Sequence, residues 1–186
     1  HTGATSASLR DLRARARHYA RHGAGVVLNS VRSVEAGEAL AAELPDAVYV
    51  QGSIAEPGVP QRLVDAALQR WGRVDVLVNN AGTTRSIPHH DLEAASLDVW
   101  REIFETNVFG TWEMTRVAAP HLSAQQGNVV MITSLAGVRP VGSSVPYAAS
   151  KAALNHLTAL LANALGPDLR VNAIAPGLVE TPWTAD

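Results

Sequence analysis

Short apolar segments alternate with longer amphipathic segments along this chain. Five short segments are rich in β-branched residues and apolar on both faces, as buried strands of parallel sheets are; they span residues 25–29, 47–50, 74–78, 128–133 and 170–174. Longer segments with helical spacing of apolar residues lie at about 9–22, 33–43, 58–71, 92–122 and 146–165. This alternation predicts an α/β fold, a doubly wound parallel sheet with helices on both faces.

Both ends of the chain fall at unusual places in such a fold. No linker or internal repeat divides the sequence, so we expect one domain over residues 1–186. The chain opens with a strand-to-turn junction at His1-Thr2-Gly3, and it stops at Asp186 soon after a strand and a Pro-Gly turn. A strand before His1 would lie in the middle of the sheet, and without it the neighbouring strands would keep unpaired backbone groups. We therefore expect either that the first strand and a C-terminal segment are missing from this sequence, or that the strand is supplied from elsewhere.

The composition narrows the partners and the compartment. The chain is 47% hydrophobic and 17% charged, with a net charge of −2, which is typical of a globular protein and argues against nucleic acid as a partner. The basic segment at residues 10–21 could be a nucleic-acid arm, but its helical apolar spacing favours an amphipathic helix with a solvated basic face. No apolar run has membrane-spanning length and no segment resembles a signal peptide, so we expect a cytoplasmic protein with no membrane partner.

Metal and thiol chemistry have little support. The chain has no cysteine, which excludes disulfides, a cysteine nucleophile and thiolate metal ligands. His89 and His90 are adjacent, so they point to different sides, and no third ligand is evident. We interpret them as loop residues and predict no metal site.

The segment 147–151 (YAASK) carries the strongest local signal. Tyr147 and Lys151 are four residues apart and would share one face of a helix. An ammonium group there would stabilise the phenolate and lower the tyrosine pKa, so that the phenol could exchange a proton near neutral pH. The pattern alone is weak, because many helices carry such a pair on their surface.

Two strand ends and one helix position strengthen that signal. Ser134 closes a predicted strand, where open α/β sheets place their ligands, and its hydroxyl could orient a carbonyl oxygen; it could also merely cap the following loop. The segment 79–82 (NNAG) follows another strand, although Asn and Gly also favour ordinary turns. Asn107 lies within a long helical pattern, where a buried amide would need a partner.

Together these residues resemble the short-chain dehydrogenase/reductase family over about residues 2–181. The matching motifs are NNAG (79–82), Asn107, the strand-end Ser134, YxxxK (147–151) and Pro176-Gly177 followed by Thr181. The resemblance implies a Rossmann-like fold and an NAD(P)-dependent oxidoreductase that interconverts a ketone and a secondary alcohol. The cofactor would carry the hydride, and the protein would supply orientation and the proton.

The resemblance also implies a role for each matching residue. Tyr147 would be the general acid or base, and Lys151 would lower its pKa and hydrogen-bond the nicotinamide ribose. Ser134 would hold the substrate oxygen, and Asn107 would support a water-linked proton relay behind Lys151. The implied cofactor contacts are Gly3, Ala4, Thr5, Ser6, Ser53, Ile54, Asn80, Ala81, Gly82, Tyr147, Lys151, Pro176, Gly177, Val179 and Thr181.

The phosphate-binding loop departs from the family pattern TGxxxGxG. Thr2 and Gly3 begin it correctly, but Ala7 and Leu9 stand where the second and third glycines belong. Those glycines let the backbone approach a pyrophosphate, and Leu9 would crowd that position. Either the loop has lost its phosphate site, or it has been remodelled, or the sequence carries an error here.

The end of the second family strand bears on cofactor choice. Residues 29–33 (NSVRS) contain no carboxylate for a ribose hydroxyl, whereas Arg32 could pair with a 2′-phosphate. We therefore predict NADP(H) in preference to NAD(H), with Arg32 and Ser33 as contacts.

Several alternatives remain open at this point. A related epimerase or dehydratase could use the same Tyr–Lys pair, and the altered loop at Ala7 and Leu9 could mark a non-catalytic or cofactor-impaired binding or scaffold protein. The small-molecule carbonyl or alcohol substrate is not identified, and a 3-oxoacyl thioester, a sugar, a steroid or a simple ketone would all be compatible. The aromatic residues on the long helix fit packing, and we expect a homodimer or homotetramer through the helices at 92–122 and 146–165.

Overall fold

The computed structural model describes residues 6–177, with side chains from residue 13 onward. The strands are β1 Val26–Ser30, β2 Ala47–Gln51, β3 Val76–Asn79, β4 Asn128–Ile132 and β5 Arg170–Ile174. The helices are α1 Ser6–Arg21, α2 Val34–Glu43, α3 Val59–Trp71, α4 Leu97–Phe104, α5 Thr111–Ser123 and α6 Val145–Leu165. Each predicted strand is present within two residues of its expected bounds.

All strand pairings among the described residues are parallel. β1 pairs with β2 in one sheet, and β4 lies between β3 and β5 in another, with Val76 opposite Asn128 and Asn128 opposite Arg170. Because a helix connects each pair of sequential parallel strands, this is the doubly wound α/β architecture that the sequence predicts.

The helices cover both faces of the strands. In β1, Val27 packs against the main hydrophobic cluster, which is built from α3, α5 and α6, whereas the next residue, Leu28, belongs to a second cluster with α1 and α2. Successive strand residues point to opposite faces, so the two clusters lie on opposite sides of the sheet. The main cluster includes Val129 and Met131 of β4, both fully buried. The expected layers are therefore confirmed.

A gap separates the two groups of strands. No backbone pairing joins β1 to β3 within residues 6–177, and a cavity of about 740 Å³ is lined by residues 23–33 on one side and 73–83 on the other. The sequence predicts a further strand in the middle of the sheet, and this gap is where the described strands leave room for one.

The predicted helix at 92–122 is divided in the structure. α4 begins only at Leu97, and a π-helical turn, Glu105–Gly110, separates it from α5. Gly110 lies against Ile54, where an added Cβ would come within 2.9 Å of a side-chain carbon. The chain thus passes close to the loop after β2 at the point where the helix widens. π-Helical turns are frequently found at functional sites, and this one carries Asn107.

Candidate active site

The carboxyl ends of β3, β4 and β5 bring the predicted residues to one edge of the sheet. β3 ends at Asn79 and leads into residues 80–83, β4 leads into Ser134, and β5 leads into Pro176. Backbone hydrogen bonds join the last two strand ends: Thr133 N donates to Ile174 O at 2.9 Å, and Leu135 N donates to Pro176 O at 2.8 Å. This edge is where open α/β sheets bind ligands.

Ser134 has two roles in the local structure. Its hydroxyl accepts a hydrogen bond from Ala136 N at 3.1 Å, so it caps the 3₁₀ turn Leu135–Gly137. It also hydrogen-bonds the phenol of Tyr147. The strand-end serine is therefore both a capping residue and a partner of the tyrosine.

The start of α6 holds Tyr147 in place. Ser144 is the N-cap; its hydroxyl accepts from Tyr147 N at 3.4 Å and its carbonyl accepts from Ala148 N at 3.0 Å. Pro146 occupies the first turn, where a missing N–H costs nothing. The ring is buried, with 8% of the residue exposed.

The local environment does not lower the pKa of Tyr147. Burial raises its pKa because the phenolate would lose hydration, and the hydrogen bond from Ser134 offsets this only in part. The expectation that Lys151 lowers this pKa is not met in this arrangement. The Lys151 ammonium lies over the tyrosine ring, 5.7 Å from its centroid, and donates to Ile132 O at 3.0 Å.

Lys151 is itself a perturbed group. It is almost completely buried, and burial lowers the pKa of its ammonium to about 8. A buried lysine with a pKa in this range is still mostly charged at pH 7 but can exchange its proton readily. Tyr147 and Lys151 do share one face of α6, as their spacing predicts.

Asn107 ties three elements together at the site. It is fully buried in the π-helical turn, its Oδ1 accepts from Thr83 N at 2.8 Å, and its Nδ2 donates to Thr83 O at 3.0 Å. The same Nδ2 lies 3.0 Å from the hydroxyl of Ser150 on α6. The buried amide therefore has the partners that such a group requires.

Ser150 was not singled out from the sequence. Its hydroxyl accepts from Asn107 and donates to Tyr147 O at 2.7 Å, so it links the π-helical turn to the helix that carries the tyrosine. A signal was present, because residue 150 lies on the same helix face as the buried Tyr147 and Leu154.

The large cavity reaches this cluster at Gly82. A Cβ added to Gly82 would lie 3.4 Å from Asn107 Oδ1 and 3.5 Å from Lys151 Nζ. The absence of a side chain thus leaves the space between the cavity and both groups open.

Seven of the predicted cofactor residues line the cavity, whereas Tyr147 and Lys151 do not. Those that line it are Arg32, Ser33, Ser53, Ile54, Asn80, Ala81 and Gly82. Of the remaining expected contacts, Pro176 and Gly177 lie beside Leu135. Gly3, Ala4, Thr5, Val179 and Thr181 are outside the described residues, and Ser6 begins α1 without a described side chain.

Two arginines bear on the chemistry of the cavity. Arg32 has no ion pair with any carboxylate among residues 13–177, so its guanidinium is available to a bound anion. Arg15 of α1, which the sequence did not single out, donates from Nη1 to Asn80 Oδ1 at 2.9 Å. Arg15 and Arg32 both line the cavity, and cationic side chains there suit the phosphate groups of a dinucleotide.

The part of the chain that the structure describes holds neither a metal-ligand cluster nor a membrane-spanning helix. Among the described residues, no group of three or more His, Cys, Asp or Glu side chains is placed to hold a metal ion. None of the helices within residues 6–177 combines the length and apolar character needed to cross a membrane.

Known proteins match this chain over most of its length. The family model for short chain dehydrogenases matches residues 13–186. The protein named "Granaticin polyketide synthase putative ketoacyl reductase 2" of Streptomyces violaceoruber is 56% identical over 170 residues, which cover 91% of this chain and 68% of that protein. An L-fucose dehydrogenase of Oryctolagus cuniculus is 36% identical over 168 residues, which cover 90% of this chain and 58% of that protein. The chain therefore spans about three-fifths to two-thirds of the length of these two relatives.

Solved structures agree with these sequence matches. A short-chain dehydrogenase/reductase structure from Burkholderia xenovorans superposes with a TM-score of 0.87 at 34% identity, covering 91% of this chain and 73% of the other. The structure of the KRED1-Pglu enzyme gives a TM-score of 0.84 at 30% identity, covering 95% and 73%. With the family model, the close relatives and the site geometry in agreement, the chain belongs to the short-chain dehydrogenase/reductase family of NAD(P)-dependent oxidoreductases.

Proposed function

We propose that this protein reduces a ketone to a secondary alcohol with NADPH, and catalyses the reverse oxidation with NADP⁺, using Tyr147 as the proton donor or acceptor. The observation that carries the proposal is the cluster at the strand ends. Ser134 hydrogen-bonds the Tyr147 phenol, and Asn107 and Ser150 tie α6 to the loop after β3. A surface pair of tyrosine and lysine would have no need of this buried framework.

Each residue of the cluster has a task that its position supports. The Ser134 hydroxyl donates a hydrogen bond to the substrate carbonyl oxygen, and Tyr147 transfers its phenolic proton to that oxygen. A bound nicotinamide would supply the hydride to the carbonyl carbon. Lys151 keeps a positive charge beside the ring and hydrogen-bonds the nicotinamide ribose. Asn107 holds the Thr83 backbone and supports the relay through which the proton of the tyrosine is replaced.

We propose NADP(H) as the preferred cofactor because of Arg32. It lines the cavity at the carboxyl end of β1, and no carboxylate in residues 29–33 would repel a 2′-phosphate. Ser33 is the N-cap residue of α2 and makes no capping bond with its side chain, so its hydroxyl can also reach an anion there. The remaining proposed contacts are Ser53, Ile54, Asn80, Ala81 and Gly82, which line the cavity, and the other residues that the family resemblance implies.

The substrate class that we favour is a 3-oxoacyl group. A relative named for ketoacyl reduction is 56% identical to this chain, whereas the one named for L-fucose oxidation is 36% identical. Exposed apolar side chains beyond Ser134, at Val138 and Val141, suit an acyl chain better than a polyhydroxylated sugar.

We also propose that two copies pair through the outer face of α5 and α6. Phe109 and Trp112 are 55% and 43% exposed, and Leu160 is 54% exposed, which leaves large apolar groups in water on helices next to the active site. A Trp112→Lys variant should sediment as a smaller species than the unsubstituted chain if this face forms the dimer or tetramer interface.

The test of the proposed activity is direct. Fluorescence titration with NADPH and with NADH measures cofactor binding. NADPH oxidation is then followed with a 3-oxoacyl thioester and with a simple ketone, and NADP⁺ reduction is followed with L-fucose. Preferred binding of NADPH and turnover of the thioester would support the proposal. Turnover of the sugar alone would replace the substrate class, and absence of binding to either cofactor would favour a non-catalytic scaffold.

A further inference from the structure

We propose that a clasp between two loops, with His89 as its outer member, fixes one wall of the substrate cleft and so determines which carbonyl substituents are accepted. The inference rests on the proposed carbonyl reduction. The first loop, residues 83–91, follows β3, and the second, residues 138–144, precedes α6. His89 is a positioning and specificity-determining residue in this proposal, and it takes no part in proton transfer.

Three hydrogen bonds join the loops although the paired residues lie more than fifty positions apart. Ile87 N donates to Ser143 O at 2.7 Å, and the hydroxyls of Thr84 and Ser143 are 2.5 Å apart. His89 Nε2 lies 3.0 Å from Gly142 O. Because a carbonyl oxygen can only accept, the imidazole must donate through Nε2.

The second loop lies directly against the tyrosine. Gly142 has a φ of +123°, a conformation that side chains disfavour, and an added Cβ would lie 2.8 Å from Ala136 Cβ and 3.6 Å from Tyr147 Cδ1. The backbone of Gly142 therefore fills the space between the 3₁₀ turn after Ser134 and the ring of Tyr147. Whatever holds Gly142 in place also fixes the position of this wall relative to the reacting groups.

The two loops line a recess of about 350 Å³ that is open to solvent. Ile87, Pro88 and Val141 form its apolar part, and its polar side chains are Ser86, Ser143 and His89. That volume and lining suit an apolar substituent of the carbonyl carbon, such as a short acyl or alkyl arm, carrying at most one hydrogen-bonding oxygen.

The hydrogen bond of His89 can affect the width of the recess with little effect on the stability of the fold. Both His89 and Gly142 are exposed, and an exposed hydrogen bond contributes little to global stability. It is, however, the bond that anchors the carbonyl of Gly142 beside Tyr147. Without it the wall would widen, so a substrate that depends on contact with the wall would lose more than one that is too small to reach it.

The chain offers a matched control in His90, an exposed neighbour with no side-chain hydrogen bond among residues 13–177. The experiment compares His89→Leu, His89→Gln and His90→Leu for kcat and KM with a small ketone and with a ketone that carries a butyl arm. His89→Leu should lower the preference for the longer ketone about five- to tenfold, through KM. His89→Gln retains an N–H donor and should keep most of the preference for the longer ketone. His90→Leu should have the same preference as the unsubstituted enzyme.

Hydrogen exchange gives a readout that does not depend on activity. The Ile87 amide, which donates across the clasp, should exchange about tenfold faster in His89→Leu than in the unsubstituted protein. In His90→Leu its exchange rate should be unchanged. Equal exchange in the two leucine variants would overturn the clasp even if the enzyme were active. Faster exchange in His89→Leu with unchanged substrate preference would overturn the specificity role. Absence of turnover in every variant, with the exchange difference present, would instead count against the proposed carbonyl reduction.

Discussion

The edge of the sheet that carries the proposed catalytic residues and the cavity beside it are organised in different ways. At the edge, Ser134, Tyr147, Ser150 and Asn107 are bonded to one another or to backbone, and the last three of these are buried. In the cavity, Arg32 and its neighbours line an open volume and make few bonds across it. The groups proposed to react are thus held by bonds within the chain, whereas Arg32 makes no ion pair with a carboxylate among residues 13–177 and can be ordered by an anion that it binds.

This difference assigns separate consequences to substitutions in the two regions. Changes at the edge should affect chemistry and folding, because each polar group there has a buried partner that would be left unsatisfied. Changes at Arg32 and Ser33, which line the cavity without belonging to the buried apolar clusters, should affect ligand affinity and leave folding nearly untouched.

The largest effect is expected for Tyr147→Phe. The ring and its packing are retained while the transferable proton is lost, so kcat should fall by about 10²–10⁴-fold. The affinity for NADPH, measured by fluorescence titration, should change less than threefold. If the variant kept a kcat near that of the parent, Tyr147 would not be the acid or base. The proposed difference in function between the sheet edge and the cavity would then also be wrong.

The pH dependence of folding should reveal the buried lysine. The folded-state pKa of about 8 lies below the ordinary value of 10.5, so the folded protein releases the Lys151 proton before the unfolded chain does. The free energy of unfolding should therefore rise as pH increases from about 8 toward 10.5, by about 3 kcal/mol over the whole interval.

Urea denaturation of the parent and of Lys151→Met at pH 7.5 and 9.5 isolates the contribution of Lys151, because the methionine variant has no ammonium to titrate. The upper pH stays below the range in which Tyr147 ionises, since burial raises the pKa of that phenol above 10.0. If the free energy of unfolding changed by the same amount with pH in the parent and in the methionine variant, the Lys151 ammonium would be better solvated than its burial indicates.

Asn107→Ala tests the framework behind the tyrosine. It leaves the Thr83 backbone N–H and C=O without their partner, and an unsatisfied buried group costs about 1–3 kcal/mol. Asn172→Ala removes an exposed hydrogen bond from the Asn172 side chain to the Asn128 side chain, and it should lower the free energy of unfolding by less than about 0.5 kcal/mol. Chemical denaturation gives both values, and similar costs for the two variants would erase the distinction between framework and surface.

The smallest of these effects belongs to the cavity. Arg32→Ala removes a proposed contact to the 2′-phosphate and should weaken NADPH binding about tenfold while changing NADH binding less than twofold. Titration of both cofactors, together with an unchanged urea midpoint, would confirm that the residue acts on affinity alone. Equal weakening for the two cofactors would withdraw the proposed preference.

The sequence predicted much of this organisation because strong physical patterns encode it. β-Branched runs gave all five described strands, and helical spacing placed Tyr147 and Lys151 on one face of α6. The unusual buried amide at Asn107 also pointed to the site. The π-helical turn could not be predicted, since the apolar spacing of the segment 92–122 continues through it without interruption.

Other features depend on contacts between distant parts of the chain. The bond from Arg15 to Asn80 and the one from Asn107 to Ser150 join residues 65 and 43 positions apart. The pKa of Tyr147 was predicted in the wrong direction because the sequence gives the charge of Lys151 but not the burial of the phenol. Local spacing shows which groups share a face, and tertiary packing decides what each one experiences.

The widened turn at Glu105–Gly110 also bears on how this protein can vary in length. Such a turn amounts to one extra residue accommodated within an α-helix, so the helical segments on either side keep their own neighbours. Removing one residue from it would be expected to leave a continuous α-helix and a folded protein, but the amide of Asn107 would rotate away from Thr83. In this helix, then, a single-residue deletion would move the proposed relay group through the backbone itself, whereas a substitution changes only the side chain.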